Sequence, residues 1–219
     1  MSFDMPFEEV YNKLFKHYGP QHWWPADTPF EVMVGAILTQ NTAWTNVERA
    51  IYNLKKNHSL TPEKILNAQV SSLAELLQPS GYFNVKTKRL RNFCRWYVDA
   101  GQFDVLADWD TGKLRKGLLS VNGIGFETAD DMLLYAFERP AFVIDSYTRR
   151  FFSRLEMVSM DEGYEQLRFK FESRLPADAA MFNEYHALIV VHAKKVCKKN
   201  PNCSICCLLE NCPFSQQWV

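Results

Sequence analysis

Five of the six cysteines lie near the C-terminal end of the chain, and four of them have the spacing C-x5-C-x2-C-x5-C. These four are Cys197, Cys203, Cys206 and Cys212. Four thiolates from one short loop can hold a tetrahedral zinc ion or a [4Fe-4S] cluster, since both take soft anionic ligands. Zinc sites more often use two separate C-x2-C pairs, and this loop has only one. The spacing therefore favours a [4Fe-4S] cluster, with zinc as the alternative.

Two glycines in the middle of the chain are a second chemical signal. Gly123 and Gly125 form a G-x-G turn between an apolar helix end and the start of a new helix. Glycine lets the backbone approach an anion closely, and the amides at a helix N-terminus favour negative charge. The turn predicts a phosphate-binding site, with a plain helix–helix turn as the alternative. It does not fit a dinucleotide fingerprint, because a helix precedes it and the third glycine is missing.

A single aspartate is the third signal. Asp145 follows the apolar residues 142–144, precedes another predicted helix, and comes eighteen residues after Glu127. Taken alone, the pattern favours an N-cap, since an aspartate in this place accepts hydrogen bonds from the first turn of a helix.

Helices must position these residues, because no stretch alternates apolar and polar residues long enough to predict a sheet. Thr28, Pro29 and Glu31 are typical of a helix start, and apolar residues follow at helical spacing. Five later segments have the same character and lie at 114–119, 128–137, 146–155, 164–175 and 181–196. The sequence therefore predicts an all-α protein of about ten helices.

The composition is that of a globular protein, with 47% hydrophobic and 23% charged residues among 219. No segment has the length of a membrane span or the apolar core of a secretory signal, so we expect a cytoplasmic protein with reduced cysteines and no membrane partner. The 25 basic and 25 acidic side chains cancel, so an anionic partner would have to bind local basic runs. Those runs comprise Lys86, Lys88, Arg89, Arg91 and Arg95; Arg149, Arg150 and Arg154; and Lys194, Lys195, Lys198 and Lys199. Each run has a solvated helix face as its alternative interpretation.

Taken together, the motifs resemble the helix-hairpin-helix DNA glycosylase superfamily, which includes endonuclease III. The family hairpin, L-P-G-V-G-x-K-T-A with an aspartate eighteen residues after the lysine, is similar to residues 121–129 followed by Asp145. The family's H-G-R helix end before a four-cysteine loop is similar to residues 192–194 before Cys197. One gap differs, because five residues separate the first two cysteines where endonuclease III usually has six.

The resemblance implies two helical domains with a DNA cleft between them and Asp145 at that cleft. A six-helix domain containing the helix-hairpin-helix would span residues 23–140. The second domain would combine residues 1–22 with 141–219 and carry the cluster loop.

The resemblance also implies the partner, which is double-stranded DNA containing a damaged base. The damaged nucleotide would be flipped out of the duplex. The DNA-binding residues would be Gln40, Asn41, Gly123, Ile124 and Gly125, with Gln40 filling the gap in the base stack and the hairpin holding a phosphate. We expect a monomer, associated with the nucleoid if the source is prokaryotic.

Glu127 occupies the position of the family's catalytic lysine. Bifunctional members use that lysine to form a Schiff base with the sugar, after which the strand is cut by β-elimination. A carboxylate cannot form a Schiff base. The sequence therefore predicts a monofunctional glycosylase, in which Asp145 stabilises the positive charge developing on the sugar and orients or deprotonates the attacking water.

The base pocket implied by the resemblance contains Trp24 and Trp44, with Trp23 in support and Lys194 nearby. Indole faces bind cationic rings, which favours alkylated purines such as 3-methyladenine and resembles the 3-methyladenine DNA glycosylase III branch. With such a substrate, Lys194 would have to be paired, modified or turned away. Two alternatives remain open at this point. One is an endonuclease III-like glycosylase for damaged or mismatched pyrimidines, and the other is a catalytically silent module that binds damaged DNA.

Overall fold

The computed structural model describes residues 5–217, and within that range all regular structure is helical. The α-helices are α1 (Phe7–Tyr18), α2 (Pro29–Leu38), α3 (Trp44–Lys56), α4 (Pro62–Asn67), α5 (Val70–Leu77), α6 (Phe83–Asp99), α7 (Gln102–Ala107), α8 (Thr111–Leu119), α9 (Phe126–Asp131), α10 (Ser146–Arg154), α11 (Tyr164–Glu172) and α12 (Ala179–Lys195). The all-α prediction is confirmed. The structure has twelve α-helices in the described residues, where the sequence predicts about ten. Helices α4 and α7 have six residues each, which is too short to give a periodic pattern. None of the helices in the described part of the chain has both the length and the apolar character that a bilayer crossing requires.

The chain divides into two compact units. One is formed by Trp24–Arg139, and the other by Met1–Trp23 together with Pro140–Val219. The first unit contains eight α-helices, α2 to α9, where the resemblance implied six. Three of these eight, α4, α7 and α9, have only six residues each.

The start of α2 shows how local sequence fixes an element in the Trp24–Arg139 unit. The Thr28 hydroxyl accepts a hydrogen bond from the Glu31 amide at 3.2 Å, and Pro29 occupies the first turn. The Glu31 carboxylate does not reach back to Thr28 as a standard capping box would. The carboxylate instead accepts a hydrogen bond from the Asp27 amide at 3.1 Å and forms an ion pair with Lys55 of α3 at 2.7 Å. The cap thus joins the start of α2 to α3, and every residue of α2 from Glu31 onward is buried.

A bidentate ion pair joins the two helices of the glycine hairpin. Arg115 on α8 binds Asp130 on α9 through Nε at 2.7 Å and Nη2 at 3.0 Å. The Asp130 side chain is fully buried and that of Arg115 is 14% exposed. Such a pair fixes geometry because both guanidinium nitrogens and both carboxylate oxygens are engaged.

A π-helical turn follows α9 directly. The sequence predicts one α-helix over 128–137, but the structure changes to a π-helix at Met132–Ala136. All five residues of that turn are buried. The wider turn rotates the side chains after Asp131 relative to a regular α-helix, and it carries Tyr135 against Trp24.

Aromatic side chains form the core of the unit made from the two chain ends. The Phe171 ring contacts those of Phe7, Phe142 and Phe152, with centroid distances of 4.5, 4.3 and 4.7 Å. Tyr185 on α12 donates its hydroxyl to the Phe7 carbonyl at 2.6 Å. Because Phe142 belongs to the segment that leads into α10, this cluster anchors the backbone just before Asp145.

Candidate functional site

Asp145 is the N-cap of α10. Its Oδ1 accepts the Thr148 amide at 2.6 Å, and its Oδ2 lies 3.6 Å from Nε2 of His186 on α12. The Asp145 side chain is only 13% exposed. The cap that the sequence favours for this residue is therefore confirmed, and the carboxylate is largely withdrawn from water.

The surroundings of Asp145 keep its carboxylate ionised. Burial alone would raise the pKa of Asp145, but the contacts with His186 and with the Thr148 amide outweigh it and hold the pKa below its usual range. A carboxylate that is buried and still charged can stabilise a positive charge brought close to it.

The glycine hairpin depends on one residue with a left-handed backbone. Gly123 has φ of +104°, and a side-chain carbon there would collide with Cγ of Arg89, whose stem lies across the turn. Gly125 has an extended backbone, and a side-chain carbon there would meet nothing within 4 Å. Ile124 lies between the two glycines and is buried. Its amide donates a hydrogen bond to the Val121 carbonyl at 3.0 Å, which stabilises the turn. The open side of the turn is therefore at Gly125.

Gln40 is bonded to this hairpin. Its Nε2 donates to the Gly123 carbonyl at 3.1 Å and to Oγ1 of Thr128 at 2.9 Å, while its Oε1 accepts from Nη1 of Arg89. The next residue, Asn41, is exposed and has a left-handed φ of 55°. The structure thus brings Gln40 and Gly123 together, although 83 residues separate them in the sequence.

The basic run on α6 is mostly used inside the protein. Lys86 is 1% exposed and donates to the Leu38 carbonyl at 2.8 Å and the Ser80 carbonyl at 2.6 Å. Burial, with Arg89 nearby, lowers the pKa of Lys86 to about 8. Arg91 donates to two backbone carbonyls at the end of α4 and just beyond it. For Lys86 and Arg91 the solvated-face interpretation is wrong, because these side chains satisfy backbone carbonyls that helix ends leave unpaired.

Two indoles and a phenol form an aromatic cluster in the Trp24–Arg139 unit. The rings of Trp24 and Trp44 meet edge to face at 4.9 Å, and Tyr135 lies 4.7 Å from Trp24. Gly35 makes room for them, since a side-chain carbon there would be 3.2 Å from Trp24 and 3.5 Å from Trp44. Because the two indoles touch, a planar ring would stack on an outer face rather than between them.

Lys194 is exposed near the end of α12, beside two aromatic rings of its own unit. Its Nζ lies 5.9 Å from the centroid of Trp23 and 5.8 Å from that of Tyr147. Both distances are within the range of cation–π attraction. Trp23 and Trp24 are neighbours in sequence, yet they contact different partners.

Glu127 is exposed in the first turn of α9. A carboxylate there is favoured by the helix dipole, which gives the substitution a structural benefit apart from any chemistry.

The four cysteines of the C-terminal motif line a common cavity. Cys207 is not among the residues that line it. Within residues 5–217, no group of three or more His, Cys, Asp or Glu side chains is arranged to hold a metal ion. The thiols therefore share one cavity without being gathered into a ligand set.

Hydrogen-bond donors surround these thiols and could stabilise them as thiolates when they bind a metal. Arg154 donates to Sγ of Cys197 at 3.2 Å, and the Leu208 amide donates to Sγ of Cys206 at 3.4 Å. Burial raises the pKa of Cys206 to about 12 and raises that of Cys212 as well, so burying these thiolates needs a compensating cation. In its chemistry the donor set fits an iron–sulfur cluster or a zinc ion.

The candidate residues belong to two sets, one in each unit. Gln40, the hairpin and the pair Trp24 and Trp44 lie in one, while Asp145, Lys194, Trp23 and the cysteines lie in the other. The sequence analysis missed Gly35, Tyr135 and His186, and it did not predict the contacts that Lys86, Arg89 and Arg154 make. A buried lysine or a glycine inside a helix gives no pattern of its own, and only the basic runs gave a signal for Lys86, Arg89 and Arg154.

Comparison with known proteins agrees with the motifs. Residues 34–177 match the model of the HhH-GPD superfamily of base excision DNA repair proteins. A putative DNA repair glycosylase of Methanocaldococcus jannaschii is 49% identical over 213 residues, which cover 96% of either chain. Endonuclease III of Sulfolobus acidocaldarius is 28% identical over 187 residues, covering 84% of this chain and 82% of that protein. The crystal structure of H. pylori 3-methyladenine DNA glycosylase bound to 1,N6-ethenoadenine is similar with a TM-score of 0.76 and 28% identity, over 87% of this chain and 98% of that one.

The two hairpin glycines offer a matched test of the backbone argument. Gly123→Ala should lower the free energy of unfolding by about 1–3 kcal/mol, because alanine is strained at this φ and collides with Arg89. Gly125→Ala should change it by less than about 0.5 kcal/mol, since its backbone suits alanine and the space is open. Chemical denaturation of both variants beside the parent measures the difference. Equal losses would contradict the described geometry of the turn.

Proposed function

The chain belongs to the HhH-GPD superfamily of base excision DNA repair proteins, and from this membership we propose that it is a monofunctional DNA glycosylase. It hydrolyses the N-glycosidic bond of a damaged base that is flipped out of double-stranded DNA, and its preferred substrate is an alkylated purine such as 3-methyladenine. It acts as a monomer and needs no membrane partner.

The observation that carries the proposal is the largely buried carboxylate of Asp145, which caps α10 through the Thr148 amide and faces His186. In the reaction, the bond from the sugar C1′ to the base nitrogen breaks and its electron pair leaves with the base. Positive charge develops at C1′, where the carboxylate stabilises it. A water oriented by Asp145 then adds to C1′ and gives up a proton to that carboxylate.

The lack of lyase activity is proposed from Glu127, whose carboxylate cannot add to the sugar as an amine does. Neither Lys86 nor Lys194 occupies the position of the family's catalytic lysine. Lys86 has a lowered pKa, which favours a nucleophile, but it is buried and donates to two carbonyls. Lys194 is accessible and lies over two aromatic rings. The abasic product is therefore left with its strand intact.

DNA binding is assigned to the hairpin and to the loop bonded to it. The hairpin of Gly123, Ile124 and Gly125 holds a backbone phosphate through the Gly125 amide, for which the open side of Gly125 leaves room, while the Ile124 amide stays bonded to the Val121 carbonyl. Gln40 fills the gap left by the flipped nucleotide, with Asn41 beside it in the exposed loop. Before Gln40 can enter the DNA, its bonds to Gly123, Thr128 and Arg89 must break.

The alkylated purine is proposed from the aromatic cluster of Trp24, Trp44 and Tyr135. Indole faces attract a cationic base by about 0.5–2 kcal/mol per contact, and a base that already carries positive charge leaves without a strong general acid. The H. pylori relative, whose structure holds 1,N6-ethenoadenine, supports an altered adenine as ligand. With such a base, Lys194 is paired, modified or turned away, and its position over Trp23 and Tyr147 supports the last of these.

A pyrimidine substrate is the second candidate. It is favoured by the similarity to endonuclease III of Sulfolobus acidocaldarius and by the four-cysteine loop. On this hypothesis the aromatic cluster would serve packing rather than recognition.

A [4Fe-4S] cluster bound by Cys197, Cys203, Cys206 and Cys212 is proposed as a structural cofactor, with zinc as the alternative. The group would supply positive charge for four thiolates and hold the loop together. Arg154 and the Leu208 amide would donate to the ligand sulfurs, as they do to Cys197 and Cys206 in this structure. The hydrolysis itself requires no electron transfer.

Asp145→Asn provides the test of the catalytic assignment. Asparagine still caps a helix, so the melting temperature should change little, while single-turnover base release should fall about 10²–10³-fold with DNA affinity retained. The substrates are duplexes carrying 3-methyladenine, 1,N6-ethenoadenine, an oxidised pyrimidine, uracil or a G·T mismatch. The matched control is Asp178→Asn, because Asp178 caps α12 through the Ala180 and Met181 amides.

Three results would contradict the proposal. No release from any duplex, with binding unaffected by Asp145→Asn, would favour the silent DNA-binding module. Release confined to pyrimidines would overturn the alkylpurine assignment and leave the glycosylase. Equal losses in Asp145→Asn and Asp178→Asn would reduce Asp145 to a helix cap.

Metal content tests the cofactor. Protein purified without oxygen should be brown and contain about four irons per chain, and replacing Cys203 with serine should lower that number and the melting temperature together. Cys207→Ser is the matched control, because Cys207 does not line the cavity. Colourless protein with one equivalent of zinc would refute the cluster and keep the structural loop.

A further inference from the structure

A buried histidine faces the carboxylate to which the chemistry is assigned. His186, in the middle of α12, is 6% exposed, and its Nε2 lies 3.6 Å from Oδ2 of Asp145. The other carboxylate oxygen, Oδ1, is already engaged by the Thr148 amide at 2.6 Å. The two oxygens of Asp145 therefore have different partners on different helices.

This division determines which oxygen can serve the reaction. Oδ1 is held by its hydrogen bond from the Thr148 amide, because that bond caps the first turn of α10. Oδ2 is the oxygen left for the sugar or the water, and a carboxylate oxygen can accept more than one hydrogen bond. At 3.6 Å the contact between Nε2 and Oδ2 is longer than a hydrogen bond, but the packed imidazole restricts the rotation of the carboxyl group and leaves Oδ2 free to accept from the substrate water.

The other charged groups on α10 and at the end of α12 have contacts elsewhere. Arg149 donates to the Glu162 carbonyl, and Arg150 donates to the carbonyls of Ala193 and Cys197. Lys194 lies over the rings of Trp23 and Tyr147. Just before Asp145, the Ile144 amide lies 3.4 Å from the Tyr164 hydroxyl. Among these side chains, His186 is the one that faces the Asp145 carboxylate.

We propose that His186 is a positioning residue, which orients Oδ2 of Asp145 through the contact of its imidazole at 3.6 Å. The proposal rests on the proposed function, since it concerns the same carboxylate. It adds a second residue to the site, on a helix that the motifs connect only with the cysteine loop.

The pH dependence distinguishes this role from simple packing. Because burial raises the pKa of Asp145 and His186 counteracts that effect, removing the imidazole should raise the pKa of the carboxylate. The acid limb of the rate profile reports protonation of Asp145, so it should move to higher pH. A residue that only filled space would leave the limb in place.

The experiment compares His186→Leu and His186→Gln with the parent protein. Single-turnover base release is followed from pH 4 to 8, together with DNA affinity and melting temperature. With leucine, the acid limb should rise by about one pH unit and release at neutral pH should fall about tenfold, with DNA affinity unchanged. Glutamine keeps an N–H donor of similar reach, so its rate should lie closer to that of the parent. His17→Gln, on an exposed histidine of α1, is the control and should change neither quantity.

A second readout does not depend on activity. The ¹³C carboxyl resonance of Asp145, assigned by its loss in Asp145→Asn, reports the pKa of Asp145 directly. If His186→Leu does not fold, His186→Asn replaces it, because its amide is too short to reach Oδ2.

The two proposals fail in different ways. If the protein releases no base but the His186 variants still raise the pKa of Asp145, the role of His186 is kept and the glycosylase is rejected. Active protein whose acid limb and Asp145 resonance are unchanged in His186→Leu or His186→Asn would overturn the role of His186 and leave the glycosylase intact.

Discussion

A carboxylate that leaves water takes up a proton unless hydrogen bonds or opposite charge stabilise it. Asp145 satisfies this condition through the Thr148 amide and the facing His186. These contacts require α10 to begin at Ser146, directly after Asp145, and α12 to lie alongside α10. The aromatic core around Phe171 provides that arrangement, since it packs the segment before Asp145 together with α1, α10 and α11. The contacts that pack this unit therefore also position the carboxylate to which catalysis is proposed.

In the other unit, the hairpin is held by polar contacts that look structural but lie where DNA is expected to bind. Lys86 satisfies carbonyls at the end of α2 and after α5, and Arg89 lies across Gly123 while bonding Gln40. A glutamine that is free to enter DNA would be disordered in the unbound protein. Here Gln40 is held by hydrogen bonds to Gly123, Thr128 and Arg89, so the proposed insertion into DNA would exchange one set of hydrogen bonds for another.

The sequence predicted the helical class, the cap of α2, the cap formed by Asp145 and the superfamily, because each depends on local pattern or on short motifs. It could not predict the π-helical turn that brings Tyr135 to Trp24, since a wide turn has no distinct periodicity. It also missed His186, because a lone histidine on an apolar helix looks like core packing until its neighbour across the fold is known. The basic run on α6 was misleading for a related reason. Charge in sequence does not reveal that Lys86 is buried against carbonyls.

We propose that water oriented by Asp145 attacks the sugar, and that no amine of the protein does so. The most direct measurement is reduction with borohydride during turnover on a duplex containing the damaged base, with a lysine-bearing endonuclease III as positive control. Attack by water should give released base, an intact strand that breaks only after alkali, and no covalent protein–DNA adduct. An adduct formed by this protein, and lost on replacing a single lysine, would contradict it.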